Sequence, residues 1–357
     1  MINERIESIR EILNPAQAAL ITSGINRRFM TGFASSAGTV IITKKEAVLL
    51  IDFRYFENAK KNIKDLKVIL CEKLYEQTAE LLKKMNIRSL FIEVDNISIS
   101  GLASLRKNLP DFDIMEDDAL SHKIRSLRCI KCQEEIDFIK KAQAITDKAF
   151  LHILNYIKAG RTEREIALEL EFFMRKNGSE GIAFDTIAVS GKNSSLPHGV
   201  PTDKPLEYGD FLTMDYGAVY AGYRSDMTRT VALGYVTEEQ QSVYDTVLKA
   251  QNAALNNIAP EKSCKDIDAS ARNIISSAGY GKCFGHGLGH SVGLEIHESP
   301  AFNTRDETIL KPGMIMTVEP GIYIENKFGV RIEDMVVITD QSFENLTASP
   351  KSLIVLK

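Results

Sequence analysis

The sequence predicts a two-domain α+β protein, with a smaller α/β domain over residues 1–124 and a larger domain over residues 133–357. Three observations carry this. The chain has 357 residues, 44% of them hydrophobic, which is more than one ordinary core holds. Its first third alternates helical and strand patterns. From Gln133 apolar residues recur at three- and four-residue steps, and short strands then take over.

In the first domain, Ile6, Ile9, Ile12 and Leu13 define an amphipathic helix that stops near Asn14-Pro15. Ala18–Thr22, Val40–Thr43 and Ala47–Ile51 read as strands, the last two joined by a turn at Lys44-Lys45-Glu46. Phe29–Ser36 reads as an apolar loop rich in small residues, Tyr75–Met85 as a helix and Leu90–Val94 as a strand. Together they suggest a mixed sheet with helices on it. Pro110, Asp111, Asp113, Asp117 and Asp118 mark a boundary region over residues 110–133. Beyond it Ile136, Ile139, Ala142, Ile145, Ala149 and Ile153 form a helical stripe running up to Gly160. Thr162-x-x-Glu165 is a capping box opening a second helix, which ends at Lys176 with Gly178 just beyond. Strands follow at Thr186–Ser190, Phe211–Tyr216 and Thr228–Leu233, helices near Glu238–Ile258 and Ile267–Ala278, and strands again at Ile315–Val318 and Met335–Thr339.

Composition narrows the function. Lysine plus arginine total 44 against 48 acids, and the net charge of −4 argues against nucleic-acid binding. The first ten residues, MINERIESIR, are charged and fit no secretory signal. No apolar run approaches the ~18 residues of a membrane span. Five scattered cysteines, with a lone CxxC at Cys129 and Cys132, read as reduced thiols. The expectation is a soluble cytoplasmic protein with no nucleic-acid or membrane partner.

Chemistry concentrates in the second domain. Of six histidines, His198, His286, His290 and His297 lie there close together, three of them in Gly285–Glu298, where interleaved glycines leave room beside the imidazoles. Asp215 and Asp226 flank a reversal around Tyr220–Gly222, and a hairpin there would oppose the two carboxylates ~5 Å apart at Cβ. Glu319 and Glu333 flank a second reversal at Glu325-Asn326-Lys327 in the same way. Acids on apolar strands are costly unless paired, and bound cations resolve the conflict. Two acid pairs plus one imidazole suffice for two divalent ions, and the oxygen-rich set favours Mn²⁺, with Co²⁺ or Zn²⁺ able to substitute.

The segments MDYGA, SDMTRT, GHGLGHSVGLEIHE, TVEPGIYI and GVRIED, in that order, resemble the two-metal peptidases of the pita-bread fold. Within them the sequence is most similar to the Xaa-Pro dipeptidase (prolidase) and Xaa-Pro aminopeptidase group. The N-terminal NRRFMTGF and IDFRY segments resemble the creatinase-type N-terminal domain. The resemblance implies Asp215, Asp226, His290, Glu319 and Glu333 as metal ligands, with no ligand missing. It implies His198 facing the substrate, His297 at the scissile carbonyl or the nucleophile, and His286 at the pocket rim. Arg331 would pair with carboxylates at the site, where it is expected to contact substrate. Glu319 would also move a proton to the departing proline nitrogen. The implied reaction is hydrolysis of the bond preceding proline in short peptides, by a homodimer.

Methionine aminopeptidase, creatinase and a non-catalytic peptide-binding module share the fold. The N-terminal domain argues against the first and the intact ligand set against the other two. Dipeptidase and aminopeptidase remain open. Arg305 stands where a prolidase holds the free carboxylate of its substrate, but its polar loop also suits a solvated surface charge. Phe184 and Tyr223 are candidates for the proline-pocket wall, or core aromatics.

Overall fold

The computed structural model describes residues 1–357, which divide into two compact units between Arg128 and Cys129.

The first unit runs α1 (Ile2–Glu11), β1 (Gln17–Ile21), α2 (Gly24–Thr31), β2 (Thr39–Thr43), β3 (Ala47–Ile51), α3 (Phe53–Asn62), β4 (Lys67–Leu70), α4 (Leu74–Lys84), β5 (Ser89–Ile92), α5 (Ile99–Asn108), β6 (Asp113–Met115) and α6 (Ala119–Cys129). Its strands form one mixed sheet in the order β4-β3-β2-β1-β5-β6. The central strands are short, nearly continuous apolar runs, as strands covered on both faces must be. Leu20, Ile41, Leu50 and Leu90 of the sheet pack with Leu82 of α4 and Leu105 of α5. Part of the segment expected as a loop, Phe29–Thr31, closes α2 instead. Ser23 caps that helix through Asn26 N, and Gly32 ends it with φ 67°, a left-handed stop that glycine adopts without strain.

The second unit runs α7 (Gln133–Ile153), α8 (Glu163–Lys176), β7 (Ile187–Ser190), β8 (Phe211–Tyr216), β9 (Val219–Tyr220), β10 (Tyr223–Arg224), β11 (Met227–Leu233), α9 (Glu238–Asn257) and α10 (Cys264–Ser277). Then come β12 (Gly289–Ser291), β13 (Glu298–Phe302), β14 (Ile315–Val318), β15 (Gly321–Ile324), β16 (Phe328–Arg331), β17 (Asp334–Ile338), β18 (Phe343–Asn345) and β19 (Val355–Leu356). Two sheets result, β19-β11-β8-β7 and β13-β12-β14-β17-β18, with small ribbons β9–β10 and β15–β16. α7 and α8 bury Ile145, Phe150, Ile166 and Leu170 against Leu212, Met214 and Val231 of the first sheet. α9 and α10 bury Val243, Val247, Ile267 and Ile275 against Met316, Val318 and Val336 of the second. The capping box forms as read, with Thr162 and Glu165 bonding each other's backbone amides. α7 stops at Ile153, short of Gly160, because the chain tightens into turns there. α10 starts earlier than Ile267, at Cys264, where Ser263 caps it through Asp266 N.

Candidate metal centre and active site

β8 and β11 pair antiparallel with Thr228 opposite Asp215. This corrects the expected pairing of Asp215 with Asp226. Asp226 precedes Thr228 by two residues and meets Asp215 diagonally. The small β9–β10 hairpin and a close crossing at Gly217 set the offset, since a Cβ on Gly217 would lie 1.9 Å from the Ser225 carbonyl oxygen. The second reversal keeps its register: Val318 pairs with Asp334 and Gly321 with Arg331. One register runs through both ladders and sets Glu319 opposite Glu333.

The ligating atoms of Asp215, Asp226 and Glu333 lie within 4.8 Å of one another. His290 joins them from β12, its Nε2 3.6 Å from Asp226 Oδ2 and 3.3 Å from Glu319 Oε1. His290 Nδ1 lies 3.2 Å from the Ser291 carbonyl oxygen, which assigns the proton to Nδ1 and leaves the Nε2 lone pair toward the carboxylates. Thr317 Oγ1 accepts from the His290 amide at 2.9 Å and donates to Glu319 Oε1 at 3.1 Å. Gly289 permits this approach, because a Cβ there would sit 2.0 Å from the Thr317 carbonyl oxygen.

Behind the acids runs a supporting network. Thr228 Oγ1 donates to Glu333 Oε2 at 2.7 Å and accepts from Arg331 Nε at 2.9 Å. Arg331 Nη2 donates to Asp215 Oδ2 at 2.7 Å, and Nη1 donates to the Tyr323 hydroxyl at 2.8 Å and the Pro197 carbonyl at 3.3 Å. Most of the guanidinium is thus committed to the protein. Arg331 lines the cavity and holds Asp215, so most of its hydrogen-bonding capacity goes to protein groups. Tyr323, not singled out in the sequence, continues the network to His286 Nε2 at 3.0 Å. Its ring needs Gly321, where a Cβ would lie 2.4 Å from the hydroxyl oxygen.

Asp215 Oδ1, Asp226 Oδ1 and Glu333 Oε1 are buried with no hydrogen-bond partner. Burial, reinforced by the neighbouring carboxylates, raises Asp226 and Glu333 well above the ordinary carboxylate range. Burial likewise lifts Glu319 to about 7. Left to itself such a cluster must take up protons or repel. Four carboxylates and one imidazole, three of them with orphaned oxygens in one small volume, fit two divalent cations, which would satisfy those oxygens and neutralise the charge.

The cluster forms part of the wall of a cavity of about 810 Å³, which His198, His286, His297, Arg305 and Phe184 also line. The His290 and His297 rings meet edge-on with centroids 4.5 Å apart. Burial and then His290 lower His297, while burial and then Arg331 lower His286 to about 4. The Arg305 amide donates to Asn303 Oδ1 at 2.8 Å, and its guanidinium pairs with no protein group. Tyr223 lies elsewhere: its hydroxyl donates to Glu135 Oε1 at 2.7 Å and its ring packs on Phe138 with centroids 5.7 Å apart. Of the two aromatics considered for the proline wall, only Phe184 lines the cavity.

Comparison with known proteins agrees with this geometry. The pattern of metallopeptidase family M24 matches residues 137–340, and that of the creatinase/prolidase N-terminal domain matches residues 5–130. The chain is 40% identical to an Xaa-Pro dipeptidase of Pyrococcus horikoshii over 360 residues, covering 99% of each chain. Among solved structures it superposes on an Xaa-Pro dipeptidase from Bacillus anthracis with a TM-score of 0.96 at 41% identity, covering 100% of both chains. It superposes on an X-Pro aminopeptidase from Thermotoga maritima with a TM-score of 0.91 at 37% identity, covering 98% of this chain and 99% of that one. Peptidases of the M24 family are dinuclear metal enzymes, as the acid–imidazole cluster requires. The chain is therefore a hydrolase of metallopeptidase family M24, preceded by a creatinase/prolidase N-terminal domain.

Proposed function

We propose that this enzyme is an Xaa-Pro dipeptidase that hydrolyses the bond preceding proline in short peptides. The observation that carries the reading is Arg305, an exposed guanidinium with no protein partner on the wall of the cavity that holds the acid–imidazole cluster. A free dipeptide presents a carboxylate one residue beyond the scissile bond, and a planar guanidinium meets it with two parallel hydrogen bonds. The two relatives described as Xaa-Pro dipeptidases support the same substrate class.

Asp215, Asp226, His290, Glu319 and Glu333 would hold two divalent ions, Mn²⁺ in this reading because four of the five side chains offer oxygen. When bound, such ions supply activated water near neutral pH and neutralise charge at the carbonyl. The chain's own groups do the rest. His297, whose pKa is lowered first by desolvation and then by His290, donates to the developing oxyanion. Glu319, steadied by Thr317, carries a proton to the departing proline nitrogen. His198 contacts the substrate, His286 shapes the rim from its bond to Tyr323, and Phe184 offers an apolar wall to the proline ring. The same reading has the enzyme act as a homodimer in the cytoplasm, a reducing compartment that suits its five free thiols.

A second reading, an aminopeptidase acting on longer Xaa-Pro peptides, draws on the likeness to the Thermotoga maritima structure. The cavity of about 810 Å³ is also larger than a dipeptide fills. A cleavage panel of Xaa-Pro, Xaa-Pro-Yaa and longer peptides with added Mn²⁺ separates the two. Preference for the free dipeptide supports the first, and equal or better cleavage of the longer peptides replaces it with the second.

A further inference from the structure

Lys131 stands in the short link between α6 and α7, outside every motif. Its side chain is 1% exposed, a place an ammonium occupies only when paired. Nζ donates to Ser291 Oγ at 2.9 Å and to Glu298 Oε2 at 3.2 Å, with the Cys129 carbonyl oxygen at 3.5 Å. Ser291 directly follows His290, and Glu298 directly follows His297. The two are also partners across β12 and β13, at the step where the register shifts between His290 and Ser291. One ammonium therefore ties both side chains of a single rung, and that rung closes the loop whose ends carry the two imidazoles.

The surroundings hold this arrangement from both sides. The Lys131 amide donates to the Gly313 carbonyl at 2.9 Å, which anchors the lysine ahead of β14. Within the loop, Glu298 Oε1 accepts from the Glu295 amide at 3.2 Å. Gly293 makes room for the carboxylate, since a Cβ there would lie 2.6 Å from either oxygen. Glu298 is itself only 6% exposed, and the Lys131 ammonium answers its charge from 3.2 Å.

We propose that Lys131 is a positioning residue that sets the mutual orientation of His290 and His297 through the Ser291–Glu298 rung. This rests on the peptidase reading of the site. Small displacements of reacting groups are costly, roughly a hundredfold in rate for 1 Å, so one buried tie behind two imidazoles controls turnover without touching substrate.

The test uses Lys131→Met, the isosteric Glu298→Gln and the double variant. Each is measured by Mn²⁺ calorimetry without substrate and by kcat and KM on an Xaa-Pro dipeptide. Lys131→Met should still bind two Mn²⁺, about 10- to 100-fold more weakly. Its kcat should fall about 10- to 100-fold with KM within about threefold, and the double variant should be no worse, because lysine and glutamate act as one unit. Unchanged kcat in the folded variants, or losses that simply add, overturns the proposal. Where Lys131→Met does not fold, Glu298→Gln decides alone: a kcat loss in folded protein supports the tie, and full activity removes it. If the wild type cleaves no Xaa-Pro peptide, the peptidase reading fails, and the change in Mn²⁺ affinity still reports on positioning of His290.

Discussion

Glu93 in the first unit and Glu333 in the second are each 1% exposed, yet their surroundings are opposite. Glu93 Oε2 accepts from the Thr22 and Ser23 amides at 2.5 and 2.9 Å, and Oε1 accepts from Ser23 Oγ and Asn26 Nδ2 at 2.7 and 2.6 Å. Its charge is answered by its own chain, and it serves as a strut between β1, α2 and the end of β5. Glu333 has Thr228 on one oxygen and nothing on the other. A buried carboxylate left half satisfied costs stability, and three such acids in one place mean that folding has been traded for a cation site. Glu163 confirms the rule inside the second unit. It is fully buried, yet the Ser190 and Thr202 backbone amides at 2.7 and 3.0 Å and the side chains of Ser190, Asn193 and Thr202 satisfy it.

The sharpest way to break this comparison is to neutralise each kind of acid. Glu333→Gln should cost several kcal/mol of transition-state stabilisation, roughly a thousandfold or more in kcat/KM, together with bound metal. In metal-free protein it should raise Tm near neutral pH, because a neutral amide replaces a carboxyl that burial and its neighbours force to hold a proton. Glu93→Gln should do the reverse: full metal content, near-normal kcat, and a loss of about 1–3 kcal/mol seen in urea unfolding. If both variants behaved alike, the distinction would be wrong.

The histidines sharpen it next. His297→Ala should keep metal but lower kcat about 10²- to 10³-fold, as loss of an oxyanion donor does. His290→Ala should instead lose metal, which elemental analysis of the purified variants would reveal. Arg305→Ala should follow with a roughly 10- to 100-fold loss on Xaa-Pro and little change on Xaa-Pro-Yaa, the worth of one charge-assisted contact. Equal effects on the two substrates would retire the clamp.

The remaining effect is on stability against pH. Glu319 is raised from its ordinary 4.5 to about 7 in the folded protein. Between those values the folded state keeps a proton that the unfolded chain has released, so metal-free protein should lose stability as pH rises through that window. Bound Mn²⁺ competes with the proton and should stabilise more at pH 8 than at pH 5. Thermal melts in EDTA and in Mn²⁺ at the two pH values check the sign.

Local pattern carried most of the second unit into view. Asp215 sits on an apolar strand, the Glu325–Lys327 turn sets its own register, and the capping box at Thr162 is spelled in four residues. The Asp215–Asp226 offset was hidden because an extra ribbon and the Gly217–Ser225 crossing shift the pairing by two residues. α2 was hidden because Phe29, Met30 and Gly32 read as loop until Ser23 and Gly32 are seen capping a short helix. Lys131, Thr228 and Tyr323 carry no motif, because their roles are defined by whom they touch.

What the sequence by itself determined is the inventory: four acids on or beside apolar strands, imidazoles among glycines, and the order of segments that places the chain among two-metal peptidases. The tertiary structure decided which oxygens stay unanswered, that Arg331 is spent on Asp215 and Tyr323, and that one buried lysine backs both imidazoles. The physical reason is separation along the chain. Arg331 reaches Asp215 across 116 residues and Lys131 reaches Ser291 across 160, and no local pattern can encode a bond whose partner is chosen only when distant segments of the chain pack together.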